Sequence, residues 1–391
     1  LIIYALPVVG VLLIFAMFVN GQDDLIDASN HFSFDLYQNV KKPSENLVVS
    51  PLSLEVGLAL AYTGAGGNTE EQLTKVLHLP QDFEDVLKEY QQLLQGLQTP
   101  ALTLATKMFI QETLSVKPKF QDRTTKYFQS EVGLVNFQTS PASAGGTVNQ
   151  WVELTTNNHI VNFLAKESVN TYTRMVLANA VSFNKNWASP FNPALTKEED
   201  FYVTPVQKVQ VKMMLQENSF PYKHDLALKA QVLQLPYENK DFNMIVFLPD
   251  DRIDLPGVEE RLAGSNFTAI LQSLTYTALN VKLPKVKLEE SFQLTETLKG
   301  LGIHDLFNQS AADLSGIADN LYVSAVGQKA CIEVKEEGTV AADGAAPEVF
   351  VTNRSKRSTN ADFVANHPFM YIITKGRTVL FMGRVIDPTQ S

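Results

Sequence analysis

The chain has 391 residues, 45% of them hydrophobic, and a formal net charge of -10. That length buries a large core and would allow two or three domains, but no low-complexity linker divides it. The acidic balance, with no long basic segment against it, excludes non-specific nucleic-acid binding and describes a soluble acidic globule.

Leu1 to Val19 is almost wholly apolar and uncharged, and Asn20-Gly21-Gln22-Asp23-Asp24 then turns polar, with Val19 and Gly21 placed as a signal peptidase prefers. Residues 1–21 are expected to be a secretory signal peptide without its initiator Met, cut after Gly21. An uncleaved anchor is the other reading, because about 19 apolar residues come near the length that spans a bilayer. From Asp27 to Lys42, Phe32, Leu36, Tyr37 and Val40 fall at helical spacing, with Ser29 or Asn30 able to cap the start. Leu47-Val48-Val49 reads as a short buried strand. Ser50-Pro51 then supplies an N-cap and a preset first residue for a helix through Leu52 to Tyr62. Gly64-Ala65-Gly66-Gly67 stops that helix and is no phosphate loop, since no Gly-Lys-Ser/Thr follows. Thr69 with Gln72 forms a capping box for the next helix. Asn243 to Leu248 and Val379 to Met382 are continuous apolar runs, as strands covered on both faces should be. Helices dominate the first third and strands the rest, which favours an α+β fold over a regular alternation.

The chemistry of an enzyme is missing from this pattern. The six histidines sit in dissimilar contexts, and neither a G-x-S-x-G elbow nor an H-E-x-x-H helix occurs. The lone Cys331 permits neither an internal disulfide nor a Cys/His metal set, and its alternating apolar context marks a buried hydrophobe. No cofactor or metal is expected. Three sequons, at Asn266, Asn308 and Asn353, would carry glycans in a secreted protein.

The most informative stretch lies near the C-terminus. Glu336-Glu337-Gly338-Thr339-Val340-Ala341-Ala342-Asp343 and the alanines after it are largely small residues, able to enter a strand where backbones approach closely. The polar run Thr352-Asn353-Arg354-Ser355-Lys356-Arg357-Ser358-Thr359 is an exposed, cationic, protease-cleavable sequence. Together with ordered blocks elsewhere, this stretch resembles the serpin family, protease inhibitors whose reactive loop, once cut, inserts into their own main sheet. The blocks include Asn46 to Ser53, Thr69 to Gln72, Val148 to Val152 and Leu177 to Phe183 with Trp187 and Phe191. Leu235-Pro236-Tyr237, Met244 to Pro249, Leu283-Pro284-Lys285, Asp313 to Gly316, Asn366 to Tyr371 and Phe381 to Val385 complete them.

The resemblance implies a single domain over 22–391 with three β-sheets, about nine helices and an exposed reactive loop at about 336–364. It places Ser50, Ser53, Asn179 and Gln328 together under the strands that part, and Trp187 at the top of the sheet where insertion begins. Gln328 stands where many members carry His, which keeps hydrogen-bonding capacity and removes titration near neutral pH. Lys185 stands where Gly is usual. The segment Asp82 to Gln98 matches a helix that binds heparin in some serpins, but its one basic residue, Lys88, argues against heparin here.

Two counts locate the scissile bond differently. About seventeen residues in from Glu336 is Thr352, whereas about eleven back from Pro368 is Arg357. The difference is five residues, about 16 Å of extended chain. Composition favours the later site: Arg354-Ser355 and Arg357-Ser358 suit trypsin-like proteases, and R-x-K-R also suits furin-like convertases. Two features oppose insertion, since Asp343 would bury a carboxylate and Pro347 would delete a ladder hydrogen bond. The expected function is a secreted monomeric inhibitor that traps a serine protease of Arg/Lys specificity. The alternative is a noninhibitory serpin acting as a binding or carrier protein.

Overall fold

The computed structural model describes residues 25–80, 82–339 and 360–390. Helix α1 (25–40) buries Phe32, Leu36 and Tyr37, as their spacing predicts. Its expected caps do not cap. Ser29 and Asn30 lie inside the helix, where Ser29 Oγ donates to Glu55 and Asn30 joins the Arg377 carbonyl to the Val379 N–H. Strand β1 (Leu47–Val49) leads into helix α2 (Pro51–Tyr62), which is buried at every position, the place for a helix that is apolar all round. Ser50 holds the N-cap position, but its hydroxyl donates to the Leu380 carbonyl rather than to the helix. Helix α3 (Gly67–Val76) starts before the expected capping box. Thr69 and Gln72 instead accept from the Asp313, His304 and Asp305 N–H groups of a distant loop.

There follow α4 (Phe83–Leu97), β2 (Leu102–Gln111), α5 (Pro118–Phe128), β3 (Gly133–Val135), α6 (Pro141–Thr155), β4 (Met175–Phe183) and β5 (Lys185–Asn186). The chain continues through β6 (Lys197–Tyr202), β7 (Lys208–Asp225), β8 (Ala230–Pro236), β9 (Phe242–Pro249), α7 (Leu255–Ala263) and α8 (Phe267–Gln272). The last elements are β10 (Thr275–Pro284), β11 (Val286–Gln293), α9 (Thr295–Leu301), β12 (Ala325–Val334), β13 (Gly338–Thr339), β14 (Ala361–Val364), β15 (Phe369–Lys375) and β16 (Thr378–Val385).

The strands form two hydrogen-bonded networks. One runs β3-β2-β4-β12-β13-β5, with β11 beside β12; the other runs β1-β16-β15-β9-β8-β7-β10-β14, with β6 beside β7. The second combines two sheets that share β7, whose first part pairs with β6 and β10 and whose end pairs with β8. Strand β4 is buried throughout, because α2 packs on one face and the α6 cluster of Val148 and Val152 on the other. Both continuous apolar runs, in β9 and β16, are likewise buried strands. Cys331 is buried in β12, where burial pushes its thiol up, as expected of a structural cysteine. No helix among the described residues is long and apolar enough to cross a membrane.

Two buried acids join separate elements, Glu259 a helix to a strand and Glu55 three helices to one another. Glu259 of α7 receives Arg384 of β16 at 3.1 Å, Lys41 at 2.8 Å and the Tyr37 hydroxyl at 2.7 Å, so its charge is both paired and hydrogen-bonded. Glu55 of α2 has no cation beside it among the described residues. Only the Ser29 and Tyr90 hydroxyls reach it, and burial raises its carboxyl to about 7 against the effect of those two bonds. A folded pKa above the unfolded one means that the fold binds the extra proton, so stability falls as pH rises from about 4.5 to 7, by about 3 kcal/mol. Urea denaturation of Glu55→Gln should show most of that slope removed, with the variant more stable than its parent at pH 8 and little different at pH 5.

Candidate functional site

Strands β4 and β12 lie parallel and directly paired, from Ala325 opposite Val176 to Cys331 opposite Ser182. Beneath this ladder the Gln328 amide closes both ways on one residue. Its Nε2 donates to the Ser50 carbonyl at 2.6 Å, and its Oε1 accepts from the Ser50 N–H at 3.1 Å. Asn179 faces Gln328 in register and donates to the Gly327 carbonyl at 3.4 Å. The four expected residues thus meet only in part: Ser53 Oγ and Asn179 Oδ1 are buried with no hydrogen-bond partner among the described residues. Asn179 Oδ1 also blocks space, since a Cβ at Gly57 of α2 would lie 2.6 Å from it.

At the top of the ladder the chain turns back on itself. Lys335 donates to the Gly338 carbonyl, and β13 lies between β12 and β5, with Thr339 opposite Val334 and Lys185, and Gly338 opposite Asn186. The start of the expected hinge is therefore already a strand in this sheet. A Cβ on Gly338 would lie 2.2 Å from the Lys185 carbonyl oxygen and 2.5 Å from the Asn186 Cα, and backbone cannot yield as a flexible side chain does. Lys185 is the β5 residue that pairs with Thr339.

Trp187 frames this turn. Its backbone N–H donates to the Glu337 carbonyl, its ring Nε1 donates to the Lys335 carbonyl at 3.0 Å, and its ring stacks on Tyr237 at 4.4 Å. The Tyr237 hydroxyl meets Thr339 Oγ1 at 2.6 Å, and burial raises Tyr237 far above the ordinary phenol range. Glu336 is held by Lys285 Nζ at 2.6 Å and Thr196 Oγ1 at 2.9 Å. Burial raises its carboxyl, but the Lys285 and Thr196 bonds outweigh burial and hold it below its usual range. Lys285, Thr196 and Tyr237 had no assigned role from sequence. Lys285 and Tyr237 did stand in the quoted blocks Leu283-Pro284-Lys285 and Leu235-Pro236-Tyr237, but their partners lie 51 and 102 residues away.

The far end of the expected loop is also anchored: β14, Ala361–Val364, pairs in parallel with β10. The span set at 336–364 thus includes sheet residues at both ends. Val340, Ala341, Ala342, Asp343 and Pro347, the bond candidates Thr352, Arg354, Ser355, Arg357 and Ser358, the sequon Asn353 and residues 1–21 lie outside the described residues. Asn266 and Asn308 are exposed, and each uses its Oδ1 to accept a nearby backbone N–H.

The family model described as Serpin (serine protease inhibitor) matches residues 27–388. The chain belongs to the serpin family. The family is described as one of serine protease inhibitors, not of enzymes. The leukocyte elastase inhibitor of Equus caballus is 35% identical over 382 residues, covering 94% of this chain and all of that protein. Serpin48 of the insect Tenebrio molitor, described as a highly specific serpin, superposes with a TM-score of 0.84 at 31% identity, covering 93% of this chain and 98% of its own. Human thyroxine-binding globulin, solved in a ligand complex, gives 0.85 at 25% identity over 94% of this serpin and 99% of its own chain.

The two kinds of buried polar group under the ladder should respond differently to truncation. Gln328→Leu removes two bonds and strands the Ser50 backbone groups, a loss of about 2–4 kcal/mol in urea denaturation, whereas Ser53→Ala deletes a hydroxyl that bonds nothing and should leave stability unchanged or higher.

Proposed function

We propose that this serpin inhibits a serine protease of basic specificity by suicide-substrate trapping and loop insertion, and that it is secreted after loss of residues 1–21. The observation that carries the mechanism is the seat of Gly338 and Thr339 between β12 and β5, directly above the closed β4–β12 ladder. Carried downward past Thr339, the register of β13 would set the partners of an inserted strand. Ala341 would fall between Ile332 and Phe183, Asp343 between Ala330 and Val181, Ala345 between Gln328 and Asn179, and Pro347 between Val326 and Leu177. Each of these pairs is already a register pair of β12 and β4 or continues that ladder by one step, so the two strands need to separate without sliding. Arg354-Ser355 and Arg357-Ser358 are the proposed reactive bonds, with Thr352 nearer the distance set by the hinge. A protease caught at Arg357 would carry more slack and escape more often.

The second reading, a noninhibitory binding or carrier serpin, is favoured by Asp343 and Pro347 and by the likeness to thyroxine-binding globulin. In the extended register Asp343 meets buried Ala330 and Val181, with Gln328, Asn179, Ile332 and Phe183 diagonal to it. None of these carries a positive charge, so the inserted carboxylate favours its protonated form and insertion weakens as pH rises above the ordinary range of Asp, about 4.

Incubation with trypsin-like and furin-like proteases, followed by denaturing electrophoresis, tests the proposal. The expected result is an SDS-stable complex with at least one of them, beside a large fraction of merely cleaved chain. Asp343→Ala should raise the ratio of complex to cleaved chain by about tenfold or more at neutral pH. Arg357→Ala should abolish convertase cleavage and raise that ratio for a protease able to use Arg354. Cleaved chain alone, with every protease and in Asp343→Ala as well, would establish the carrier reading.

A further inference from the structure

The histidines form no metal motif along the sequence, but the fold brings two of them together. His31 is exposed on α1, and Asp35 follows it one helical turn later, so the two share a face. His78 comes just after α3 with φ 54, and its Nε2 meets Asp35 Oδ2 at 2.8 Å. The His31 and His78 rings stand 5.7 Å apart between centres, tilted by 49°. Two imidazoles on one tetrahedral ion, each nitrogen about 2.1 Å from it, have ring centres roughly 5–6 Å apart. All three side chains reach solvent. His224 also meets an aspartate, Asp250 at 2.9 Å, but no second imidazole stands beside that pair among the described residues.

We propose that His31 and His78 together bind one divalent cation of the zinc or copper class, with Asp35 as the group that orients His78. An ionised carboxylate only accepts, so Asp35 takes the Nε2 hydrogen of a neutral His78 and leaves Nδ1 with a free lone pair. A carboxylate in that place fixes the tautomer of a ligating histidine and raises the basicity of the nitrogen that binds. His31 makes no hydrogen bond or ion pair among the described residues, so binding costs it no partner. No group of three or more His, Cys, Asp or Glu among the described residues is placed to hold a metal ion. This cluster agrees with that, since it offers two imidazoles as ligands and water fills the other positions. Imidazole suits zinc and copper, whereas magnesium and calcium take oxygen ligands. The bound ion joins α1 to the end of α3. Unfolding separates the two rings, so the ion binds the native chain more tightly and stabilises it. None of this rests on the protease-trapping reading.

The full chain, stripped with a chelator, is titrated with Zn²⁺, Cu²⁺ and Mg²⁺ by calorimetry, and the Cu²⁺ form is read by electron paramagnetic resonance. The expected result is one saturable site for Zn²⁺ and Cu²⁺ and none for Mg²⁺, with the splitting of two nitrogens on the copper signal. His31→Ala and His78→Ala, both at exposed positions, should each raise the dissociation constant about tenfold or more and leave one nitrogen. Asp35→Ala should weaken binding by a similar factor but keep both nitrogens, and His224→Ala should change nothing. Zinc should also raise the melting temperature of the parent and not that of His31→Ala. Affinity unchanged in His31→Ala or in His78→Ala, or Mg²⁺ binding as well as Zn²⁺, would overturn the site. Unchanged affinity in Asp35→Ala would overturn its orienting role.

Discussion

A sheet can accept a new central strand only where two neighbours part with their hydrogen-bonding edges already in matching register. The offset between β12 and β4 is the one that β13 imposes through its own partners, Val334 on one side and Lys185 on the other. Opening this ladder therefore breaks one set of backbone bonds and leaves two edges aligned for the same incoming chain. Filling the gap restores those bonds twice over, once against each edge, which is the thermodynamic gain behind insertion.

Gln328 anchors one side of this ladder. A side chain that donates to and accepts from one backbone residue, Ser50, ties β12 to the entrance of α2 independently of pH, because an amide does not titrate. The closed state is nevertheless incompletely satisfied, with Ser53 Oγ and Asn179 Oδ1 buried and unpartnered under the same strands. At the top of the ladder the missing Cβ of Gly338 admits its backbone against that of Lys185 and Asn186, and the partners around Trp187, Tyr237 and Glu336 hold the turn beside it. Inserted in the proposed register, Asp343 would bring a charge against Ala330 and Val181, where the neighbours are apolar or amide.

The sequence made the large elements legible because burial leaves a simple record. Strands β9 and β16 are covered on both faces and carry the apolar runs Met244 to Leu248 and Val379 to Met382, and helix α2, buried at every position, is apolar but for Ser53 and Glu55. Ser29, Asn30, Thr69 and Gln72 do not form the expected caps because the side chains that can bond a nearby backbone group can equally bond a distant one, and tertiary packing chose the distant partner in each case. Glu55 gave no signal, since a carboxyl among apolar residues of a helix does not announce that two hydroxyls from other helices will enclose it. Trp187, Gln328 and Ser50 could be placed by resemblance, and the structure adds what they touch. The Glu336–Lys285 and Thr339–Tyr237 contacts join residues far apart in the chain, and no local pattern encodes them.

The central claim is that the β4–β12 ladder opens to take the segment after Thr339 as an added strand. Thermal unfolding of the protein before and after a single cut within 352–358, with the C-terminal fragment retained, tests it most directly. The account predicts that the cut form melts at a much higher temperature, because the added strand pairs on both edges. Equal melting temperatures for the intact and cut forms would contradict it, and would mean that Asp343 and Pro347 hold the loop out of the sheet.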